Sequence, residues 1–125
     1  MTSTLDLARQ FMAAAEAGDI AAARTCFHPD AGTWHNYDRA TQTLDQNMKL
    51  LAWMASKCTS RHYDITRLEE IDGGYLQQHT LRVVMNDGTE AETDAIAVVT
   101  VEDGKIRLIE EYIDPAPLAG LANQR

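Results

Sequence analysis

Positive charge is scarce in this chain of 125 residues, and several other features are missing from it. The chain has 11 lysines and arginines against 19 aspartates and glutamates, so its formal net charge is −8 at pH 7. A nucleic-acid-binding protein needs a basic surface to replace the counterions of the phosphates, and an anionic membrane surface also attracts basic segments. The charge balance therefore argues against a nucleic-acid partner and against a membrane partner.

Long apolar runs are also missing. No stretch approaches the roughly 20 apolar residues of a membrane-spanning helix, and the first residues show no signal-peptide pattern. We therefore expect a cytoplasmic protein. The two cysteines, Cys26 and Cys58, lack the spacing of metal ligands, which predicts two buried free thiols. The histidines show no paired spacing and no glycine-rich phosphate loop is present, so we predict neither a metal nor a cofactor.

Apolar residues, in contrast, make up 45% of the chain, which is enough for one domain, residues 1–125, with one core. Apolar spacing predicts helices first and strands afterwards. The predicted helices are Thr4–Ala17, Ile20–Cys26 and Thr43–Lys57. The predicted strands are Thr33–Tyr37, Arg61–Ile71, Tyr75–Met85, Thr89–Val101 and Lys105–Ile113. Residues 27–32 are predicted as a turn and residues 38–43 as a loop. This order is typical of an α+β fold, with helices packed on one face of a curved antiparallel sheet.

The last predicted hairpin carries two carboxylates in an otherwise apolar strand. Its strands meet at Glu102-Asp103-Gly104, a tight-turn sequence, and the second strand holds Glu110 and Glu111 among apolar side chains. Carboxylates in such a strand are costly unless they face water, a partner or a functional cavity. Strand alternation gives the two glutamates opposite faces, and periodicity leaves open which face is inward.

The order of elements, the sequence HPDAGTWHNY and the ending VEDGKIRLIEEYIDPAPL resemble the NTF2-like superfamily, and within it the SnoaL-like polyketide cyclases and limonene-1,2-epoxide hydrolases. The resemblance covers nearly the whole chain. It implies a cone, in which a strongly bent sheet and the helices enclose a pocket. Such a pocket suits a small apolar molecule.

The resemblance also implies site residues. In the epoxide hydrolases a Tyr and an Asn two residues apart on the first strand position the water, and Trp34 and Asn36 stand at the matching places. The hydrolases continue with Arg-x-Asp on a middle strand, where we place Gln78 and Thr80. Their last aspartate matches Glu111, as does the single acid–base aspartate of the SnoaL-type cyclases. Because the Arg-x-Asp pair is replaced, the resemblance favours chemistry that needs one carboxylate.

We therefore predict Glu111 and Asn36 as catalytic residues, and Trp34, Gln78 and Thr80 as substrate-binding residues. Ile109, which shares a strand face with Glu111, and Tyr63 are predicted to bind the apolar part of the substrate. Alternation predicts that His35 and His79 point away from this site. A competing interpretation makes Glu111 an exposed residue or the ion-pair partner of Arg82 or Arg107.

Three functions remain open at this point. The first is a cofactor-free cyclase, isomerase or hydrolase that acts on a small apolar carbonyl or epoxide substrate. The second is a non-catalytic protein that binds a small molecule, and the third is an interaction module whose pocket is filled by its own side chains. Several strands carry apolar residues on both faces, which predicts a homodimer formed through the sheet.

Overall fold

The computed structural model describes residues 3–125, so the first two residues of the predicted domain lie outside it. Its helices are α1 (Thr4–Ala17), α2 (Ile20–Arg24), α3 (Leu44–Lys57) and a C-terminal 3₁₀ helix (Ala116–Asn123). Its strands are β1 (Phe27–His35), β2 (Thr41–Thr43), β3 (Cys58–Ile71), β4 (Gly74–Met85), β5 (Glu90–Glu102) and β6 (Lys105–Ile113). None of the helices in this range is long and apolar enough to cross a membrane.

The strands form one sheet in the order β2-β1-β6-β5-β4-β3. The last four strands pair antiparallel with their neighbours along the chain, as predicted. β1 pairs parallel with β6, and β2 pairs antiparallel with β1. The sheet is not closed, and α1 and α3 pack against it. This mixed arrangement confirms the predicted α+β class.

Two segments that the sequence predicts as a turn and a loop belong to the sheet. The predicted turn 27–32 is the first part of β1, and β2 lies within the predicted loop 38–43. The register of β1 against β6 shifts in the first of these segments, which contains Pro29. Proline has no N–H to donate to a ladder, and an irregular strand lacks a clean period of two, so its sequence has the composition of a turn.

Local side-chain chemistry fixes the helix ends, and the predicted tight turn forms at the last hairpin. The Ser3 side chain accepts a hydrogen bond from the backbone N–H of Asp6 at 3.1 Å and caps α1. Thr43 and Gln46 form a reciprocal capping box at the start of α3. Asp103 and Gly104 have φ angles of 54° and 74°, the left-handed conformations of a two-residue hairpin turn.

The core lies between α1 and the covered face of the sheet. Ile106 in β6 is 0% exposed and belongs to this cluster of buried apolar side chains. Members from α1, β1, α3 and β4 include Phe11, Phe27, Met48 and Tyr75. Phe11 and Phe27 pack edge to face with ring centroids 5.0 Å apart, which joins the N-terminal helix to β1.

Replacing Ile106 by alanine is expected to reduce the free energy of unfolding by about 2–5 kcal/mol, because the removed side chain leaves a cavity in a closed core. Ile71 in β3 is 39% exposed and offers a matched control. Ile71→Ala should cost less than about 1 kcal/mol. Urea unfolding followed by circular dichroism measures both values, and equal losses in the two variants would contradict this assignment of the core.

Candidate functional site

The helix-covered face of the sheet borders a cavity of about 330 Å³. The sheet forms its floor, and α1, α3 and the C-terminal 3₁₀ helix supply apolar walls. Representative wall residues are Phe11 and Met12 of α1, Leu50 and Met54 of α3, and Leu118 and Leu121 of the 3₁₀ helix. A concave apolar space with a few polar groups is the usual form of a small-molecule site.

The residue after the C-terminal 3₁₀ helix attaches this wall to the turn between β4 and β5. The Lys57 ammonium donates to the backbone oxygen of Gln124 at 2.9 Å. The Gln124 side chain accepts from the backbone N–H of Asp87 at 2.9 Å and donates to the Asp87 carboxylate at 3.1 Å. Asn86 donates to the backbone oxygen of Arg125 at 2.9 Å. These polar contacts hold the 3₁₀ helix over the cavity.

A histidine and a glutamate meet in the cavity because β1 and β6 run parallel. Their register pairs His35 with Glu111, and residues paired in this way share one face of the sheet. His35 Nε2 lies 3.2 Å from Glu111 Oε1, with the His35 side chain 7% exposed and the Glu111 side chain 22% exposed. Both line the cavity. The contact holds one carboxylate oxygen in a site whose walls are mostly apolar.

A second histidine lies on β4. His79 is 4% exposed, and its Nδ1 lies 2.8 Å from the amide nitrogen of Gln77, which is also buried. Burial lowers the pKa of His79, and the nearby Glu111 carboxylate raises it by a smaller amount. The net pKa lies below the ordinary value, so the buried ring favours its neutral form.

Two tyrosines add hydroxyl groups to the lining. The Tyr63 ring packs edge to face against His79, with centroids 5.3 Å apart. Burial, and secondarily the Glu111 charge, raise the pKa of Tyr63 far above its ordinary value, so its hydroxyl keeps its proton. Tyr37 stacks on His35 with centroids 5.1 Å apart. Burial raises the pKa of Tyr37 as well.

A further polar pair lies on the same face of β1. The Asn47 side chain of α3 donates to the Thr33 hydroxyl at 3.0 Å, and both residues are buried. Thr33 is two residues before His35, so this pair lies roughly 7 Å along the strand from the histidine. The cavity thus has polar groups at more than one position along β1.

Three of the predicted site residues line this cavity: Glu111, Ile109 and Tyr63. The chain brings them together from β6 and β3, with Ile109 6% exposed in the floor. Their roles toward a ligand stay predictions.

The other four predicted residues do not line the cavity. Trp34 packs against Tyr112, which is 48% exposed, and Gln78 and Thr80 border a shallow depression that also includes Tyr112. Asn36 follows the end of β1, where its side-chain oxygen accepts from the backbone N–H of Ile113 at 2.8 Å. The expectation that these four residues face the cavity is therefore wrong, because the opposite faces of β1 and β4 point toward it. The residues that share the face of Glu111 are one position away.

The sequence contains a signal for the correct phase of β4. Tyr75, Leu81, Val83 and Met85 are apolar and have the same parity as Gln77 and His79, whereas Gln78, Thr80 and Arg82 alternate with them. Period-two alternation alone would have given the inward face to Gln77 and His79. The expectation that His79 and His35 point away from the site is therefore wrong. For β1 no such signal exists, because its first half is irregular.

Comparison with known proteins agrees with this architecture. The family described as SnoaL-like domain matches residues 8–109 of this chain. The chain belongs to the SnoaL-like domain family. No curated protein matches the sequence.

Solved structures of other proteins share the fold of this SnoaL-like domain at low sequence identity. A Catenulispora acidiphila protein with a ketosteroid isomerase-like fold has a TM-score of 0.81 and 14% identity, over 98% of this chain and 96% of that one. An LEH-like epoxide hydrolase of M. tuberculosis has a TM-score of 0.76 and 18% identity, over 97% and 90%. A candidate SnoaL-like polyketide cyclase of Shewanella denitrificans has a TM-score of 0.80 and 6% identity, over 96% of each chain. The predicted family and the cone-type fold are confirmed.

Because the pKa of His79 is lowered in the folded protein, protonation should favour unfolding. The free energy of unfolding should fall as the pH drops below about 6.5, where the histidine of the unfolded chain gains its proton, and should keep falling through the lower folded-state pKa. His79→Leu should weaken this pH dependence. Urea unfolding at a series of pH values between 8 and 5, in roughly half-unit steps, measures the slope.

His62 provides the control, since its side chain is 62% exposed. His62→Gln should keep most of the wild-type slope below about pH 6.5. A His79→Leu slope equal to that of the wild type would show that burial of this ring does not govern the acid sensitivity.

Proposed function

We propose that this SnoaL-like domain is a cofactor-free acid–base catalyst that removes a proton next to the carbonyl group of a small apolar substrate. Glu111 is the base. The observation that carries this proposal is the contact between His35 and Glu111 inside a mostly apolar cavity. A carboxylate held at one oxygen keeps its other oxygen for a substrate proton, and proton transfer of this kind is worth about 10²–10⁴ in rate.

The step balances without a further reactant. Glu111 takes a proton from the carbon beside the carbonyl, and the electron pair of the broken C–H bond forms an enolate. In an isomerisation the proton returns to a different carbon. In an aldol-type ring closure the enolate carbon forms a bond to a second carbonyl carbon, whose oxygen receives the proton. A substrate that fills this mostly apolar cavity displaces water from Glu111, which strengthens the electrostatic interactions within the site.

Epoxide hydrolysis is supported less well. In the fold relatives that the sequence resembles, an Arg-x-Asp pair works together with the last carboxylate. On β4, the positions of the covered face with the matching spacing hold the buried Gln77 and His79, and His79 lines the cavity. Both are uncharged in the neutral form of the histidine. An acid–base pair of two carboxylates is therefore not available to open an epoxide in that way. A single carboxylate is sufficient for proton removal beside a carbonyl.

The expected result of a Glu111→Gln substitution is a loss of at least about 100-fold in the rate of proton exchange, because glutamine cannot accept the proton. The assay follows the exchange of α-hydrogens with D₂O by proton NMR, for cyclohexanone, acetophenone and 2-tetralone. Glu110→Gln is the matched control, since Glu110 is the neighbouring residue with opposite strand parity, and it should leave the rate unchanged.

Circular dichroism should show that both variants fold. If the wild type binds these ketones and exchanges none of their hydrogens, the catalytic proposal fails and a non-catalytic binding protein becomes the better interpretation. Equal exchange by the wild type and Glu111→Gln would remove Glu111 as the base.

We also propose that two copies of the chain pair through the uncovered face of the sheet. Tyr112 is 48% exposed on this face and packs against Trp34, with ring centroids 5.3 Å apart. Ile96, Val98 and Leu108 lie half-buried on the same side. Partly exposed apolar side chains on both sides of Glu110 support a protein contact at this face.

Tyr112→Lys is expected to dissociate such a dimer, because it introduces a charge in the middle of the apolar contact. Sedimentation velocity at micromolar concentration measures the change in mass. Ile71→Lys, at an exposed position of β3, should leave the mass unchanged. A wild-type monomer under these conditions would refute the proposed dimer.

We further propose a cytoplasmic location. Cys26 and Cys58 are buried and free. Burial raises the pKa of the Cys26 thiol, which keeps it protonated and less reactive. Unpaired thiols are most common in proteins of reducing compartments, which supports this location.

A further inference from the structure

His79 has a ring nitrogen for which the fold supplies no partner. Its Nδ1 lies 2.8 Å from the Gln77 amide nitrogen, which can only donate, so Nδ1 accepts this hydrogen bond. The ring proton of the neutral histidine is then on Nε2. Nε2 is buried and makes no hydrogen bond to any residue within 3–125. A buried donor without an acceptor is costly, and groups of this kind call for a structural or functional reason.

The position of this nitrogen relative to Glu111 supplies a reason. His79 is on β4 and Glu111 is on β6, with β5 between them. Their neighbours on β5 are Ala95, opposite His79, and Ala97, opposite Glu111. Both alanines are buried and have short side chains, and the side chains of His79 and Glu111 line the same cavity. Two strand spacings, together with the two-residue offset between Ala95 and Ala97, separate the backbones by about 12 Å, a gap that the two longer side chains and a carbonyl-bearing fragment can fill.

We propose that the Nε2–H group of His79 donates a hydrogen bond to the carbonyl oxygen of the substrate, and that Gln77 is the positioning residue that fixes the tautomer. This inference rests on the proposed function, because it assigns the oxygen of the same substrate whose α-proton Glu111 removes. When that proton leaves, negative charge develops on the oxygen, and a preorganised donor stabilises it. The donor needs no reorientation, because Gln77 already holds the ring.

The environment of His79 suits this role. Burial lowers its pKa, so the imidazole is neutral and carries one proton at neutral pH. A neutral imidazole can donate to the enolate oxygen without neutralising Glu111 as a charged imidazolium would. The Tyr63 ring packs edge to face with the imidazole, and Nε2 is buried. The arrangement selects a neutral ketone or ester over a carboxylate substrate, since a second negative charge would lie near Glu111.

The tautomer is tested first, without any ligand. In protein labelled with ¹⁵N in the histidine rings, the His79 signals at pH 7.5 should be those of the neutral ring with its proton on Nε2. Gln77→Leu removes the donor and should give a mixture of the two tautomers. A proton on Nδ1 in the wild type would overturn the proposal, because Nε2 could then only accept.

The second test uses cyclohexanone labelled with ¹³C at the carbonyl carbon as the probe. Bound to the wild type and to Glu111→Gln, its carbonyl resonance should move downfield, as hydrogen bonding to the oxygen requires. His79→Leu should abolish the shift and slow α-hydrogen exchange by about 10²–10³-fold, the usual loss for one oxyanion donor. Gln77→Leu should retain part of the carbonyl shift and part of the exchange rate. A variant that fails to fold would lose both completely.

The two proposals fail in different ways. If His79→Leu exchanges hydrogens as fast as the wild type while Glu111→Gln does not, the donor role is wrong and the base stands. If the wild type shifts the carbonyl resonance and the shift is lost in His79→Leu, but no variant catalyses exchange, His79 binds the oxygen and the proposed reaction is wrong. No carbonyl shift in the wild type, at the highest soluble ketone concentration, would overturn the assignment of His79.

Discussion

The parallel pairing of β1 with β6 is the constraint on which the rest of this structure depends. The four later strands form a meander that local turns can specify, but β1 comes from the helical half of the chain and must find its place beside the last strand. Its parallel register brings His35 to Glu111 and Thr33 to Ile109. The pairing therefore joins the two halves of the fold and assembles the polar end of the cavity in one step.

Local chemistry made most of the fold predictable. Residues such as Asp103 and Gly104 in the β5–β6 turn specify a tight hairpin, and the apolar spacing of α1 and α3 specifies their buried faces. The residues of the site were harder to predict from the sequence. A one-residue error in phase transfers every side chain of a strand to the other face. Because of this error, Trp34 and Asn36 were predicted as site residues of β1 in place of His35. On β4, Gln78 and Thr80 were predicted in place of Gln77 and His79.

The two phase errors have different physical causes. On β4 the apolar residues Tyr75, Leu81 and Val83 mark the inward parity, so the information is present in the sequence. On β1 a shift in register near Pro29 breaks the alternation, and only the pairing with β6 defines which residues face inward. The resemblance to the NTF2-like superfamily chose the face of Glu111, and the regular pairing of Leu108–Ile113 with β5 then placed Ile109 and Ile113 on the same face.

The C-terminal 3₁₀ helix forms one wall of the cavity, but it takes no part in the sheet. It is attached through a few polar contacts around Gln124 and through the close approach of Gly120 to Met85. One part of the cavity wall is thus encoded in a stretch of chain outside the sheet, whereas other lining residues such as Phe11 also belong to the core. Substitutions at Leu118 or Ala122 can change which molecules fit, and the ladder that holds His35 against Glu111 stays intact. Ligand preference in this fold can therefore diverge quickly among homologues whose sheets remain alike.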